Sequence, residues 1–280
     1  MRSAEPWLDS SWRARLSLGY ELEDGHTRLK SRGHEGPLLV QRPFYPEGPA
    51  LCQTIVVHPP GGIAGGDTLE LSAAIGKRAQ AQFTTPGATK WYRGFARTAS
   101  QHVHIEVGAG GLCEWLPQEN IVYDGAQAAT SLEADLEEGA TWCSWDFTCL
   151  GRPESAAPFE SGRLRQRVML RRRGQPLFRE QALLEGGSEL LASRAVLDGR
   201  NAYGALIVAG PAAPPALVER AREIVNACAT AGVSSMGALL VARWVGERVE
   251  EGRSLFTSLW AVLRPWYAQR MAVIPRIWNT

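Results

Sequence analysis

The stretch SLEADLEEGATWCSWDF, residues 131–147, decides the fold, because apolar and polar residues alternate on both sides of Gly139. Alternation with a period of two is typical of a half-buried strand, and a central glycine permits a tight turn. Three other stretches repeat the arrangement around Gly76, Gly108 and Gly174, so the four turns follow one another after 32, 31 and 35 residues. The pattern predicts a mostly β fold whose body is a layered stack of β-hairpins.

The pattern changes near residue 210, where a proline cluster, GPAAPP, ends the last strand of this body. Apolar residues then recur at helical spacing, which predicts a first helix over residues 216–229, closed by Gly232. The segment ALLVARWVG, residues 238–246, predicts another strand, and residues 254–271 a second helix that bends or ends near Pro265. We expect both helices to pack on the β body.

These elements predict a single domain over residues 1–280, with a β body over about 12–210 and a helical and terminal strand region over about 211–280. A chain of this length buries enough surface for a sizeable core.

Composition excludes several classes of protein. Lys+Arg 30 against Asp+Glu 29 gives a formal net charge of +1, which disfavours a nucleic-acid binder. Five cysteines without a C-x-x-C motif suggest neither a disulfide framework nor a zinc ribbon, and they fit a reducing cytoplasm. No apolar run reaches the length of a secretory signal or a membrane span. We therefore expect a cytoplasmic protein with no nucleic-acid or membrane partner.

The glycine-rich loop HPPGGIAGGD, residues 58–67, comes within one residue of the phosphate-binding P-loop. Where that motif has a lysine that pairs with phosphate oxygens, this chain has Asp67, whose negative charge would repel them. The loop also leads into an alternating strand, and a phosphate site would need the N-terminus of a helix there. We interpret it as an ordered turn system that presents one carboxylate.

A pair of histidines and a row of arginines each allow two interpretations. His102 and His104 lie two apart on a predicted strand, a spacing that can hold a metal, although the commoner explanation is a half-exposed strand face. Arg163, Arg165 and Arg167 alternate along another strand, where they could meet phosphates or an acidic protein surface. A solvated face that deters edge pairing explains the arginines equally well.

Several long motifs in a fixed order resemble the urease accessory protein UreD family, called UreH in some organisms. The resemblance covers nearly the whole chain. The segments that carry it are GPLLVQRPFYPEG (36–48), HPPGGIAGGD (58–67), TTPGATKWYRG (84–94), EWLPQENIVYDGA (114–126), the GR of CLGR (151–152) and PRIW (275–278).

The resemblance implies a scaffold for nickel insertion into apo-urease that is not itself an enzyme and has no catalytic residue. Its implied partners are UreF, the GTPase UreG recruited through UreF, and the urease apoprotein. GTP hydrolysis would belong to UreG. The resemblance also implies an internal water-filled channel for nickel in transit, with no tightly bound cofactor. By motif similarity, Asp67, Thr89, Asp146 and Glu180 would line this channel.

Chemistry supports such a donor set for a conduit. Nickel binds tightly to nitrogen and sulfur ligands, whereas carboxylates and hydroxyls can hold a hydrated ion weakly and release it. The alternatives are a metal-dependent β-fold hydrolase that uses the same carboxylates, and a structural adaptor without a metal role. Candidate surfaces for UreF are the arginine stripe and the aromatic residues Trp260, Trp266 and Tyr267 of the second helix, which we expect to be exposed.

Overall fold

A computed structural model of the protein describes residues 11–279, which form two β-sheets and a pair of helices stacked in three layers. The outer sheet has seven strands, numbered here along the chain. In spatial order they are β15 (Gln175–Glu185), β14 (Arg163–Arg172), β12 (Gln127–Leu136), β9 (Ala99–Val107), β6 (Thr68–Ile75), β1 (Arg13–Glu23) and β2 (His26–Glu35).

The middle sheet has eleven strands. Its main path runs through β17 (Ala231–Met236), β18 (Leu239–Gly246), β16 (Ala202–Ala209), β13 (Thr141–Leu150), β10 (Leu112–Trp115), β7 (Gln80–Thr84), β4 (Leu51–Val57) and β3 (Leu39–Val40). A short branch beside β13 contains β11 (Asn120–Val122), β8 (Thr89–Trp91) and β5 (Gly62–Ile63). The mostly β fold class predicted from the sequence is confirmed.

The middle sheet is buried on both faces. Along β13, Trp142 packs with the outer sheet, whereas Trp145 and Phe147 pack against the helices. The inter-sheet core includes Tyr20, whose ring meets the ring of Phe83 edge to face at 5.6 Å between centroids. A strand that is covered on both faces has a nearly continuous run of apolar residues in its sequence. Strand β13 accordingly has two tryptophans on opposite faces.

The repeated strand–glycine–strand units are present, but three of the four pair differently from the predicted hairpins. The strands before Gly76, Gly108 and Gly139 lie in the outer sheet, and the strands after them lie in the middle sheet. Each strand therefore pairs in parallel with the corresponding strand of the next unit. Only the unit around Gly174 is an antiparallel hairpin, β14–β15. Alternation specifies a strand with one buried face, but it does not specify the partner strand.

The first helix, α1, spans Pro215–Val225 and the second, α2, spans Val249–Ala268. Strand β18 lies where the sequence predicts it, but Gly232 belongs to strand β17, which the sequence analysis missed. The sequence predicts that α2 bends or ends near Pro265, and the structure places Pro265 in the last turn of the helix, which ends at Ala268. Pro265 is exposed, as is Ala261, whose carbonyl loses its helical partner and can bond to water instead.

The aromatic residues of α2 were expected to be exposed, and that expectation is wrong. Trp260 and Tyr267 are buried against the middle sheet, and Trp266 is half-buried. Helical periodicity places them on an apolar stripe, and that stripe covers the sheet. Trp260 and Tyr267 therefore cannot serve as the partner surface that the sequence suggested.

A buried charge network joins α2 to the middle sheet. Arg264 donates to both carboxylate oxygens of Glu114, at 3.0 and 2.9 Å, and to both of Glu47, at 2.8 and 2.9 Å. Glu114 also accepts bonds from Gln82, at 2.7 Å, and from Trp260 and Tyr267, at 2.9 and 2.5 Å. Burial alone would lower the pKa of Arg264, but the two carboxylates raise it overall.

Candidate functional site

A cavity of about 450 Å³ lies between the two sheets. Apolar side chains such as Val103, Leu132 and Ile207 form much of its wall, and polar side chains from both sheets form the rest. Its polar lining from the outer sheet includes Gln101, Thr130, Gln166 and Glu180, and from the middle sheet Thr89, Asn120, Ser144, Asp146, Tyr203 and Arg243. The atoms of these polar side chains that could bind a metal are oxygens, so the chemistry they offer is that of hard, weakly binding ligands.

Asp146 is the carboxylate enclosed most deeply in this cavity. Asn120 donates a hydrogen bond to one of its oxygens at 2.9 Å, and Gln166 donates to the other at 3.1 Å. Asn120 is itself held by the indole N–H of Trp91 at 3.0 Å, and Gln166 accepts a bond from the Tyr203 hydroxyl. Burial raises the pKa of Asp146 to about 6, against the opposing effect of the two amide donors and with a smaller upward contribution from Glu180.

This environment leaves the charge of Asp146 without a positively charged partner. Its partners are two neutral amides, so a cation that reaches Asp146 would meet a negative charge that no positive side chain neutralises there. Because amides donate bonds without supplying charge, they orient the carboxylate and leave its charge available.

Glu180 lies on the opposite sheet and lines the same cavity. Both of its carboxylate oxygens accept bonds from the guanidinium of Arg243, at 2.9 and 2.5 Å. Thr89 opens strand β8, where its strand partner is Asn120, the residue that bonds to Asp146. The structure therefore brings together three of the four residues that the sequence assigned to a channel, Thr89, Asp146 and Glu180.

Asp67, the fourth residue, is not part of the cavity lining. Its two carboxylate oxygens accept backbone N–H bonds from Trp12, at 2.8 Å, and from Ala64, at 2.9 Å. This arrangement closes the glycine loop on itself and ties it to the start of β1. The carboxylate that the loop was expected to present is thus engaged with backbone donors.

The glycines of residues 58–67 have a packing explanation. A Cβ atom on Gly62 would lie 2.3 Å from the ring of Tyr92, and one on Gly65 would lie 2.4 Å from the carbonyl oxygen of Gly94. Gly66 has a φ of +98°, and a Cβ there would lie 2.6 Å from the guanidinium of Arg97. Only glycine permits the loop to approach residues 92–97 this closely, which supports the interpretation as an ordered turn system.

The structure also includes residues that the sequence analysis did not single out, namely Asn120, Gln166 and Arg243. Asn120 lies within a family motif, and Gln166 is the one uncharged polar residue in a run of arginines. Arg243 is the only charged residue in the apolar strand β18, and such a residue in a buried strand signals a special partner.

The histidine pair and two of the three arginines of the stripe have ordinary partners on the outer face of the outer sheet. His102 bonds to Ser131 and His104 to Asp135, each at 2.8 Å. Arg163 pairs with Glu185 at 2.7 Å, and Arg167 lies 3.8 Å from Glu133. Across residues 11–279, no three His, Cys, Asp or Glu side chains lie close enough together to hold one metal ion.

Comparison with known proteins assigns the family. The model of the UreD urease accessory protein family matches residues 13–279. The chain belongs to the UreD family of urease accessory proteins. It is 42% identical to the urease accessory protein UreD of Methylobacillus flagellatus over 275 residues, covering 98% of this chain and 96% of the relative. It is 44% identical to the UreD of Dechloromonas aromatica over 281 residues, covering 99% and 98%. The corresponding protein of Nitrosococcus oceani is 45% identical over 273 residues, covering 98% and 92%.

Membership in this family supports a role in urease maturation, and it does not favour the alternative of a metal-dependent hydrolase. Neither α1 nor α2, the two α-helices within residues 11–279, combines the length and apolar character needed to cross a membrane.

Proposed function

We propose that this UreD protein is a scaffold that joins UreF, and UreG through UreF, to apo-urease, and that nickel reaches urease through the cavity between its two sheets. The observation that carries the proposal is the convergence of Thr89, Asp146 and Glu180 on one cavity. These residues lie far apart in the sequence and belong to three different strands in two sheets. The protein itself supplies no catalysis in this proposal, and GTP hydrolysis belongs to UreG.

The donor set supports transit of the metal. A hydroxyl and two carboxylates are hard oxygen ligands, which can hold a hydrated divalent ion by charge while most of its waters stay in place. None of the five free cysteines, all of which lie within residues 11–279, belongs to the cavity lining. Burial also raises the pKa of Cys113, Cys143 and Cys149 and keeps these thiols protonated. The free thiols also support a cytoplasmic setting.

Within this proposal Asp67 has a different position from the other three residues. It belongs to the loop at residues 58–67, outside the cavity lining, and any contact with nickel there would compete with its two backbone donors. We therefore assign the route inside the protein to Thr89, Asp146 and Glu180. Asp67 remains a candidate for a station outside the cavity.

The experiment that tests the function is reconstitution of urease activation. The chain is co-expressed with UreF, UreG and apo-urease, and nickel-dependent urease activity is measured with and without it. The variant Asp146→Asn replaces the carboxylate by an amide of nearly the same shape and removes the charge, so we expect nickel delivery to fall while the complex still assembles.

The matched control is Asp135→Asn, the same substitution on the outer face of the neighbouring sheet, and it should activate urease like the wild type. Full activation without the chain would contradict the scaffold. Full activation by Asp146→Asn would contradict the route while leaving the scaffold intact. Turnover of a substrate by the chain alone would favour the hydrolase.

A further inference from the structure

The ion pair between Arg243 and Glu180 bridges the two sheets at the edge of the cavity. Glu180 is on β15, the edge strand of the outer sheet, and Arg243 is on β18, the second strand of the middle sheet. Both side chains line the cavity and both reach solvent, with 54% of the Arg243 side chain and 33% of the Glu180 side chain exposed. Because both side chains line the cavity and also reach solvent, the ion pair lies at the mouth of the cavity.

Strand register connects this mouth to the enclosed carboxylate. Asp146 on β13 is opposite Ala205 on β16, and Ala205 is opposite Arg243 on β18. The three residues therefore form one row across the inner face of the middle sheet, with Arg243 at the exposed end and Asp146 at the enclosed end. A cation that enters past Arg243 reaches Asp146 after one intervening small residue.

We propose that Arg243 is a positioning residue that masks Glu180 and closes the mouth of the cavity until a divalent cation enters. This inference rests on the proposed route for nickel and adds the residue that regulates access to it. While Arg243 holds both oxygens of Glu180, its guanidinium neutralises the carboxylate, and a positive charge stands in the path of a cation. When Arg243 swings toward solvent, the same movement removes that charge and exposes the carboxylate.

The strength of the pair suits such a role. An exposed ion pair contributes about 0.2 to 1 kcal/mol, so it opens often. A buried pair such as Arg264 with Glu114 would open too rarely to admit an ion. The guanidinium also remains charged at any physiological pH, so the mask depends on displacement of Arg243 and does not depend on its titration.

Thiol labelling tests the mask without nickel or partners. Ala205→Cys places a thiol directly behind the pair, and its rate of reaction with a small thiol reagent reports how often the mouth is open. Adding Arg243→Ala should raise this rate by about fivefold, the factor that corresponds to about 1 kcal/mol. Arg243→Lys keeps the charge but loses the two-pronged bond, so its rate should lie between those two. Labelling of the wild-type chain, which has the half-buried Cys228, is subtracted.

The matched control is Arg163→Ala, which removes a similarly exposed arginine from an ion pair with Glu185, away from the cavity lining. It should leave the labelling rate unchanged. If Arg243→Ala labels no faster than Arg163→Ala, the mask is overturned whatever the fate of nickel.

Activation of urease at limiting nickel supplies the second measurement. Arg243→Ala should raise the initial rate by up to the same factor, and Arg163→Ala should not change it. If labelling rises, Asp146→Asn blocks activation and Arg243→Ala leaves the rate unchanged, control of nickel entry by Arg243 is overturned while the route stands. If Asp146→Asn activates fully, the proposed route has failed, and the labelling rates still decide whether Arg243 closes the cavity.

Discussion

Acidic side chains lie on both faces of the middle sheet, and their partners differ in charge. Between the middle sheet and the helices, Glu114 is fully buried, and Arg264 pairs with it at 2.9 Å. Between the two sheets, Asp146 faces a cavity, and the side chains that donate to it, Asn120 and Gln166, are neutral.

This difference separates a structural carboxylate from one that is available to a ligand. Five donor atoms of four side chains bond to the oxygens of Glu114, so an incoming cation would find neither charge nor lone pairs unused. Asp146 keeps its negative charge unneutralised and has space beside it. Burial and acidity alone therefore do not distinguish a structural carboxylate from a candidate metal ligand, and the partners of each carboxylate do.

The largest effect is expected from breaking the network on the helix side. Arg264→Met should cost about 3 to 5 kcal/mol, because it leaves Glu114 and Glu47 buried without their cation. Denaturant unfolding of the purified chain measures this cost. Adding Glu114→Gln to Arg264→Met removes one orphaned charge and should recover part of the loss. A single variant within about 1 kcal/mol of the wild type would show that the two spaces do not differ in this way.

A pH-dependent effect is expected on the cavity side. The pKa of Asp146 is about 6 in the folded chain, above the ordinary value of 3.8. Between these values the folded chain holds a proton that the unfolded chain has lost, so stability contributed by this group is present at low pH and is lost as pH rises to about 6. The slope is at most about 1.4 kcal/mol per pH unit. Asp146→Asn removes this contribution.

Unfolding of the wild type and of Asp146→Asn should therefore be compared between pH 4 and pH 7, with Asp135→Asn measured alongside. The wild type should lose stability relative to Asp146→Asn as pH rises through this window. A difference that stays constant, or that changes in the wild type's favour, would mean that Asp146 is not held in a desolvated setting.

The smallest effects concern packing, and adjacent residues provide matched tests. Ala242 on β18 faces the helices and is fully buried, whereas Ala205 on β16 faces the cavity. Ala242→Leu should overpack the helix side and cost about 1 to 3 kcal/mol. Ala205→Leu should cost less than about 1 kcal/mol, since it enters existing space, yet it should slow urease activation. Equal losses of thermal stability would contradict the presence of space at Ala205.

Sequence patterns predicted the elements better than their pairing. Alternation before Gly76, Gly108 and Gly139 identified the outer-sheet strands correctly, because each has one face in the core. It could not show that the strands after these glycines lie in the other sheet. A turn that joins two strands of one sheet and a turn that joins strands of two sheets can connect segments with the same alternation. Strand β17, AGVSSM, was missed because its glycine and serines give little strand signal.

For the candidate site, too, the sequence supplied individual residues and the structure supplied their contacts. The motif resemblance supplied Thr89, Asp146 and Glu180, and the structure gathers them around one cavity. It also supplied Asp67, whose oxygens turn out to bond to backbone groups of Trp12 and Ala64. Arg243 was missed because it meets Glu180 from 63 residues away, and no local pattern encodes such a contact.

The sequence by itself determined the mostly β class, the two C-terminal helices and the family, because these depend on local periodicity, turn residues and motif order. Only the tertiary structure decided which carboxylates are neutralised, which are available, and where the cavity lies. Those properties depend on partners from other strands and on the space left between layers, and both arise only when distant segments pack together.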